Sequence, residues 1–229
     1  MWIKICGNTR LQDCLLAAEL GADAVGFVFA AGKRTVTAEQ VASITSALPG
    51  LIEKIGVFTS VDADEIAPAA LRAGLTGIQL HSQYDDALVR SVRAATASRS
   101  SMRLLQVVHW DLDLQAADQI AAFSAEVRRI GDDGLVDALL VDSRTARVSG
   151  GTGRTFDWAA AAPVLAKAGL PVIVAGGLNP DNVAGAITAL NPLGVDVSSG
   201  IEASPGVKDA EAVRQFIQNA RAATPNQSF

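Results

Sequence analysis

Short apolar runs recur along the chain, and each is followed by a longer stretch in which apolar residues return at helical spacing. Most runs are continuously apolar rather than alternating, which is typical of parallel strands covered on both faces. The intervening stretches, such as TAEQVASITSAL and PDNVAGAITAL, are rich in Ala and Leu. The pattern predicts eight strands: Trp2–Cys6, Ala24–Phe29, Lys54–Phe58, Gly77–Leu80, Leu104–Val108, Ala138–Val141, Val172–Ala175 and Val195–Ser198.

Capping residues mark the ends of several predicted helices. Asn8 or Thr9 would begin the first helix, Thr37 the second, and Asn179 before Pro180 the seventh. Glycines would close some of the predicted helices, at Gly21, Gly74 and Gly169.

Eight β-then-α units account for nearly all 229 residues, with no linker long enough to divide them. Strand–helix alternation predicts a parallel sheet with right-handed crossovers, which can be an open, doubly wound sheet or a closed barrel. The unit count and chain length favour the closed form. We therefore expect one domain, residues 1–229, folded as an α/β (β/α)₈ TIM barrel.

Composition narrows the classes of function. A net charge of −5 provides no basic field to attract nucleic acid. The absence of a run of about 20 apolar residues or of an export signal predicts a cytoplasmic protein outside the membrane. The two cysteines do not form a disulfide framework, and His81 and His109 form no ligand cluster with them, so we expect no metal.

Glycine- and serine-rich segments follow the last two predicted strands, where barrels of this type usually bind phosphate. They contain Gly176 and Gly177 in AGGLNPDNV, and Ser198, Ser199 and Gly200 in DVSSGIE. A third segment, SGGTGRTFDW, carries Gly151 and Gly153 and would close over the same site. The alternative is that these glycines only form tight turns. Two neighbouring loops in this position favour a phosphorylated small molecule, held by neutral N–H groups.

Two strand-end residues have chemistry suited to acid–base work. Asp142 shares a strand face with Ala138 and Leu140, so it would stand at the barrel mouth if that face points inward. It could otherwise cap a turn or pair with Arg144 or Arg147. Cys6 shares its face with Trp2 and Lys4, and is either a buried, inert thiol or a proton acceptor activated by positive charge. Cys14, inside the first predicted helix, is expected to pack against the barrel.

Three further residues lie near predicted strand ends. Arg34, in AAGKRTV, is either a solvated surface arginine or a planar partner for a substrate carboxylate. His81 and His109 follow the fourth and fifth strands, where a structural hydrogen bond at the rim is the favoured interpretation. Phe29 and Trp110 either line an aromatic pocket or pack on helices.

These motifs resemble those of the phosphoribosylanthranilate isomerases of tryptophan biosynthesis. The resemblance extends in order along almost the whole chain: KICGNT, GADAVGFVF, GVF, IQLH, LLVDS, GGTGRTFDW, AGGLNPDNV and DVSSGIEASPGVKD. Single pieces such as AGGL are found in other phosphate-binding barrels, but the combination of KICG with GGTG-TFDW and DVSSGIE-SPG-KD is highly specific.

The resemblance implies an Amadori rearrangement of N-(5-phosphoribosyl)anthranilate, without cofactor or metal. It implies Cys6 as general base, Asp142 as general acid and Arg34 as the contact of the anthranilate carboxylate. Phosphate would lie on the Gly176–Gly177 and Ser198–Gly200 loops, helped by the 150–153 stretch. His81 is assigned to substrate binding.

The chain departs from the family pattern at two places. Members often carry Ser-Pro-Arg and an aromatic residue after the second strand, whereas this chain has Gly32-Lys33-Arg34-Thr35. Ser82 replaces the usual glycine after His81.

Two other functions remain as alternatives. One is the histidine-pathway isomerase that performs the same rearrangement with aspartates as acid and base, and the other is a non-catalytic phosphosugar-binding module. Both a monomer and a homodimer are compatible with the sequence.

Overall fold

The computed structural model describes residues 1–99, 101–114, 116–145, 148–149 and 155–224. Its main sheet contains eight parallel strands, which alternate with helices along the chain. These strands are β1 (Trp2–Ile5), β2 (Ala24–Val28), β3 (Glu53–Phe58), β4 (Gly77–Leu80), β5 (Arg103–Asp111), β6 (Ala138–Thr145), β8 (Val172–Val174) and β9 (Gly194–Val197).

The sheet closes on itself. Pairings run β5-β4-β3-β2-β1-β9-β8-β6, and β6 pairs in turn with β5 over seven residue pairs, from Leu105↔Ala138 to Asp111↔Arg144. A short β7 (Val148–Ser149) runs antiparallel to the end of β6. The predicted barrel is confirmed. The open-sheet alternative is wrong, because the pairing of β5 with β6 closes the ring of parallel strands.

Helices cover the outside of the barrel. Their inward faces and the outer faces of the strands form the larger apolar core. Cys14 is fully buried in this layer, as predicted. The helices are α1 (Leu11–Glu19), α2 (Ala38–Thr45), α3 (Ala63–Arg72), α4 (Asp86–Ala95), α5 (Ala116–Asp133), α6 (Trp158–Leu165), α7 (Val183–Leu190) and α8 (Ala210–Ala222).

A smaller apolar cluster fills the barrel interior. It contains Ala138 and Leu140 of β6 together with Ile55, Leu105 and Ile173, and Trp2 packs against it. The face shared by Ala138, Leu140 and Asp142 therefore points inward, as does the face shared by Trp2, Lys4 and Cys6. The parity argument is confirmed for both strands.

A two-stranded hairpin lies between the last barrel strand and the last helix. It consists of β10 (Glu202–Ser204) and β11 (Val207–Lys208), preceded by a 3₁₀ turn at Ser199–Ile201. The sequence pattern did not predict this hairpin. It places Glu202 and Lys208 opposite one another beside the barrel mouth.

The predicted helix caps are confirmed only in part. Thr37 forms a capping box with Gln40 at the start of α2, and Gly21 and Gly74 have positive φ directly after the C-cap residues of α1 and α3, as expected. Gly169 also has positive φ, but it lies beyond Ala166, the C-cap of α6, and does not close that helix. The first helix, however, begins after Arg10 without a side-chain cap. Asn8 instead donates to the carbonyls of Ile5 and Gly26, and Thr9 donates to that of Gly206.

The seventh helix also begins later than predicted. Its N-cap residue is Asn182, whereas the Asn179 side chain accepts from the backbone N–H groups of Asp181 and Asn182 in the preceding turn. An Asn-Pro pair can therefore start a turn as readily as a helix.

Two strands are longer than predicted. β5 continues three residues beyond Val108 and β6 four beyond Val141, because the two strands pair with each other up to Asp111 and Arg144. His109 and Asp142 therefore face each other within paired strands rather than just after them. Within the described residues, no helix is long and apolar enough to cross a membrane.

Candidate active site

A cavity of about 440 Å³ opens at the carboxyl ends of the barrel strands. It gathers five predicted site residues from separate parts of the chain, namely Cys6, Arg34, His81, Asp142 and Ser198. A smaller pocket of about 50 Å³ adjoins it, and its lining includes Gly176, Gly177 and Ser199 together with Asp142 and Ser198. The predicted acid, base and phosphate loops therefore meet at one mouth, because parallel strands end on the same side of a barrel.

Cys6 lies just after β1, and its backbone N–H donates to Val197 of the neighbouring β9 (2.8 Å). Its thiol lies beside the Lys4 side chain: a Cβ placed on Gly26 would meet Cys6 Sγ at 2.7 Å and Lys4 Cε at 2.8 Å. Burial raises the pKa of the Cys6 thiol, and Asp196 raises it further, while Lys4 and Lys208 act in the opposite direction. Nearby positive charge is present, as the base hypothesis requires, but it does not overcome burial in the free protein.

The Lys4 side chain links β1 to β4 and β9 through hydrogen bonds. Its Nζ donates to Gln79 Oε1 (2.8 Å) and to Asp196 Oδ2 (3.0 Å), and its side chain is fully buried. Burial lowers the Lys4 pKa, but Asp196 and Cys6 together outweigh that effect and leave it raised. A cation is thus held directly beneath the thiol.

Asp142 is buried at the centre of the site. Burial raises its pKa to about 7, with Asp196 adding to the rise and the Ser143 N–H and Lys4 opposing it. Its Oδ1 atom is buried without a hydrogen-bond partner among the described residues. A carboxyl that keeps its proton near neutrality and faces a cavity is suited to general acid catalysis.

Some of the predictions for this site concern residues or side chains outside the described part of the chain. Pairing with Arg144 or Arg147 concerns side chains outside the described part of the chain. Gly151 and Gly153, predicted to help bind phosphate, also lie outside the described residues.

The two glycine-containing loops approach one another closely. Gly176 and Gly177 have φ of +78° and +67°, in the left-handed region that favours glycine. A Cβ on Gly200 would lie 2.0 Å from the Leu178 carbonyl, so this loop can pack against the loop after β8 only with glycine there. Gly200 itself does not line either cavity within the described residues, unlike Ser198 and Ser199.

Arg34 reaches the mouth from the loop after β2. Its Nε and Nη2 donate to both carboxylate oxygens of Glu202 (2.6–3.1 Å), and its side chain is 22% exposed. The solvated-surface interpretation of Arg34 is therefore wrong, because the guanidinium is held in an ion pair. The Arg34 side chain packs closely against Gly7, because a Cβ at that position would lie 2.6 Å from Arg34 Cδ.

His81 and His109 contact each other at the rim. Their Nε2 atoms are 3.2 Å apart and their rings are edge-to-face. Burial lowers the pKa of His81 to about 3, with His109 and Lys4 contributing. The predicted structural hydrogen bond is consistent with this contact, and neutral His81 lines the cavity.

The aromatic candidates do not both belong to the site. Trp110 packs against Phe123 and Phe156 in the outer core. Phe29 stacks on Phe58 (ring centroids 4.6 Å apart) and lines a neighbouring pocket of about 380 Å³.

Lys4, Gln79 and Asp196 were not predicted as site residues. Strand parity is the signal that could have found all three, since each precedes a predicted site residue by two positions: Lys4 before Cys6, Gln79 before His81 and Asp196 before Ser198. No group of three or more potential metal ligands occurs among the described residues.

Comparison with known proteins shows the family to which the chain belongs. Residues 3–219 match the family model described as N-(5'phosphoribosyl)anthranilate (PRA) isomerase. The isomerase of Pelobacter propionicus is 40% identical over 220 residues, covering 96% of this chain and 95% of that protein. The isomerase of Thermotoga maritima is 36% identical over 220 residues, covering 96% and 98%.

Solved structures give the same result. The crystal structure of the Thermotoga maritima isomerase has a TM-score of 0.81 at 34% identity, covering 97% of this chain and 99% of that one. A phosphoribosylanthranilate isomerase in complex with reduced 1-(o-carboxyphenylamino)-1-deoxyribulose 5-phosphate has a TM-score of 0.78 at 32% identity, with the same coverage.

Proposed function

The chain belongs to the N-(5'-phosphoribosyl)anthranilate isomerase family, and on this basis we propose that it converts N-(5-phosphoribosyl)anthranilate to 1-(2-carboxyphenylamino)-1-deoxyribulose 5-phosphate in tryptophan biosynthesis. One observation carries the proposal most strongly: a buried carboxyl and a buried thiol share a cavity beside two glycine- and serine-containing loops. The histidine-pathway alternative is not favoured, because the full-length relatives are phosphoribosylanthranilate isomerases.

The reaction begins with opening of the ribose ring. Asp142 donates its proton to the ring oxygen, and the nitrogen lone pair forms a protonated imine at C1. A pKa of about 7 supports this role, because the carboxyl is still partly protonated in neutral solution, where an ordinary aspartate is fully ionised.

The second step is removal of the proton on C2. The imine acidifies this proton, so a base of moderate strength suffices, and the Cys6 thiolate accepts it. Lys4 and Lys208 stabilise that thiolate. The enolamine then relaxes to the ketone as C1 gains a proton and the C2 hydroxyl loses one, and this returns Cys6 and Asp142 to their starting states.

The two ends of the substrate are held separately in this proposal. The phosphate binds at the loops of Gly176–Gly177 and Ser198–Gly200, whose neutral N–H and hydroxyl groups bind anions without a large basic patch. The anthranilate carboxylate binds Arg34, and neutral His81 lines the space between. Such anchoring contributes orientation in addition to acid–base catalysis.

The decisive experiment follows the loss of substrate fluorescence with freshly made phosphoribosylanthranilate. Cys6→Ser and Asp142→Asn should each lower kcat/KM by about 10²–10⁴-fold while inorganic phosphate still binds. Cys14→Ala, at the other cysteine, should keep near wild-type turnover. Near-normal activity of either site variant would remove its assigned role, and phosphate binding by an inactive wild-type protein would favour the binding module.

We also propose an assembly state and a location for the protein. A solved structure similar to this chain contains monomers generated from the dimeric isomerase of Thermotoga maritima, so we propose a monomer or a homodimer, to be distinguished by light scattering. Both cysteines are free, which suits the cytoplasm.

A further inference from the structure

We propose that Glu202, in the hairpin after β9, is a positioning residue that fixes the Arg34 guanidinium for the carboxylate end of the substrate. The inference rests on the proposed function, because it assigns Arg34 a ligand. Arg34 lines the active-site cavity, whereas Glu202 is not among its described lining residues. Glu202 therefore acts on the substrate through Arg34.

The geometry of the ion pair leaves part of the guanidinium for a second anion. Glu202 accepts from Arg34 Nε at 2.8 and 3.1 Å and from Nη2 at 2.6 Å. This side-on contact uses the single N–H of Nε and one N–H of Nη2. A guanidinium has five N–H groups, so both on Nη1 and the second on Nη2 can meet another carboxylate in the same plane.

The loop that carries Arg34 does not by itself fix the side chain. Residues 31–33 are exposed, and the stretch contains Gly32 and no proline. Its local hydrogen bonds come from Thr35, whose hydroxyl donates to the carbonyls of Ala30 and Gly32 and whose backbone N–H donates to that of Gly32. An arginine side chain has large rotational freedom, so an external partner is needed to restrict it before substrate binds.

Glu202 is buried, and its carboxylate is held by a second side chain besides Arg34. Its side chain is 4% exposed and also accepts from Lys208 Nζ at 2.9 Å, with the Lys208 side chain fully buried. Burial raises the Glu202 pKa, but Arg34 and Lys208 outweigh this effect and leave it lowered, so the carboxylate is charged at neutral pH. Burial lowers the pKa of Lys208, and Glu202 opposes that effect. The buried Glu202 carboxylate lies between the Arg34 and Lys208 side chains.

Lys208 connects this cluster to the catalytic strand ends. Besides Glu202, its Nζ donates to the backbone carbonyls of Cys6 and Ser198. The residue that neutralises Glu202 therefore also contacts the base strand and the phosphate loop. The carboxylate-binding arginine is thus placed in a fixed relation to both.

The test compares steady-state kinetics of the wild type with those of Glu202→Gln and Glu202→Asp. Glutamine keeps the size but loses the charge, whereas aspartate keeps the charge beside Lys208 but is too short for the side-on pair. We expect KM for phosphoribosylanthranilate to rise about 10-fold in both variants, while kcat changes less than about threefold. Inhibition by inorganic phosphate, which probes only the other end of the site, should be unchanged.

Two comparisons separate positioning from a general loss of structure. Glu39→Gln breaks an exposed Glu–Arg ion pair on α2 and should leave KM unchanged. In an Arg34→Ala background, Glu202→Gln should raise KM by less than about twofold, because its effect depends on the arginine.

The outcomes are distinct. An equal rise in KM with and without Arg34, weakened phosphate inhibition, or KM within about twofold of the wild type in both Glu202 variants would overturn the inference. A wild-type protein without isomerase activity would instead contradict the proposed function.

Discussion

Burial shifts the pKa values of both proposed catalytic groups in the same direction. It raises the pKa of Asp142 to about 7 and raises that of Cys6 above its ordinary value. The acid is therefore well matched to neutral pH, whereas the base is mostly a neutral thiol in the free protein. The active combination, protonated Asp142 with thiolate Cys6, is a minor form because the acid has the lower pKa of the two.

This arrangement predicts the pH dependence of kcat/KM. The population of the active form is constant between the two pKa values and falls on both sides, so activity should rise up to about pH 7, level off and decline above the raised pKa of Cys6. Initial rates from about pH 5 to 10 test this expectation. An optimum below about pH 6 would contradict it.

Lys4 and Asp196 influence both groups at once. Lys4 lowers the pKa of Cys6 and of Asp142, whereas Asp196 raises both. Lys4 and Asp196 are hydrogen-bonded to each other at 3.0 Å, so this one ion pair influences the pKa values of both Cys6 and Asp142. A substitution at Lys4 or Asp196 should therefore shift the pKa values of both Cys6 and Asp142.

At the level of elements, the turn after β8 links phosphate binding to the acid. Gly176 has φ of +78°, and a Cβ there would lie 2.7 Å from the Ser143 backbone nitrogen and 2.9 Å from Asp142 Oδ1. Any larger residue must therefore displace the end of β6, on which Asp142 stands. The close packing of two strand ends is the reason for glycine here.

Gly176→Ala should consequently lower kcat/KM by about 10²-fold and destabilise the fold by about 1–3 kcal/mol. Gly21→Ala is the matched control, because Gly21 also has positive φ (+88°) but has no other atom within 4 Å of the position that an added methyl group would take. It should lose stability from backbone strain while retaining activity. Equal activity of the two variants would show that crowding against Asp142 is unimportant.

At the scale of the whole molecule, the shifted pKa values of Asp142 and His81 make the stability of the folded protein depend on pH. Asp142 has a folded pKa of about 7 against an ordinary value of 3.8, so the folded protein binds more protons than the unfolded chain between these pH values. Stability from this group is therefore lost as pH rises from about 4 to 7. His81, with its pKa lowered to about 3 from 6.5, acts oppositely, and its contribution is lost as pH falls below 6.5.

Asp142→Asn should therefore raise the free energy of unfolding relative to the wild type. The gain should be small near pH 4, grow up to pH 7 and stay constant above it, with an upper limit of about 4 kcal/mol. Urea unfolding at about pH 5 and pH 8 measures the difference. The exposed Asp181→Asn serves as control, and a gain that is equal at both pH values would contradict the assignment.

Much of the architecture was predictable from local pattern. Continuous apolar runs located all eight barrel strands to within a few residues, and strand parity placed Asp142 and Cys6 on inward faces. The helix starts at Asn8 or Thr9 and at Asn179 were predicted wrongly, because those polar groups form other hydrogen bonds instead. The extra length of β5 and β6 follows from their pairing with each other, which local pattern does not record.

Local pattern was sufficient for the order of strands and helices, the inward faces and the residues at strand ends, because side-chain periodicity and glycine preference are local properties. Which charges meet depends instead on contacts between distant parts of the chain. Lys4 contacts Asp196 across 192 positions, and Arg34 contacts Glu202 across 168. Closing the barrel brings these distant strand ends together and removes water from them. That burial, rather than residue type, sets the pKa of Asp142, and the ion pair with Glu202 holds the Arg34 guanidinium.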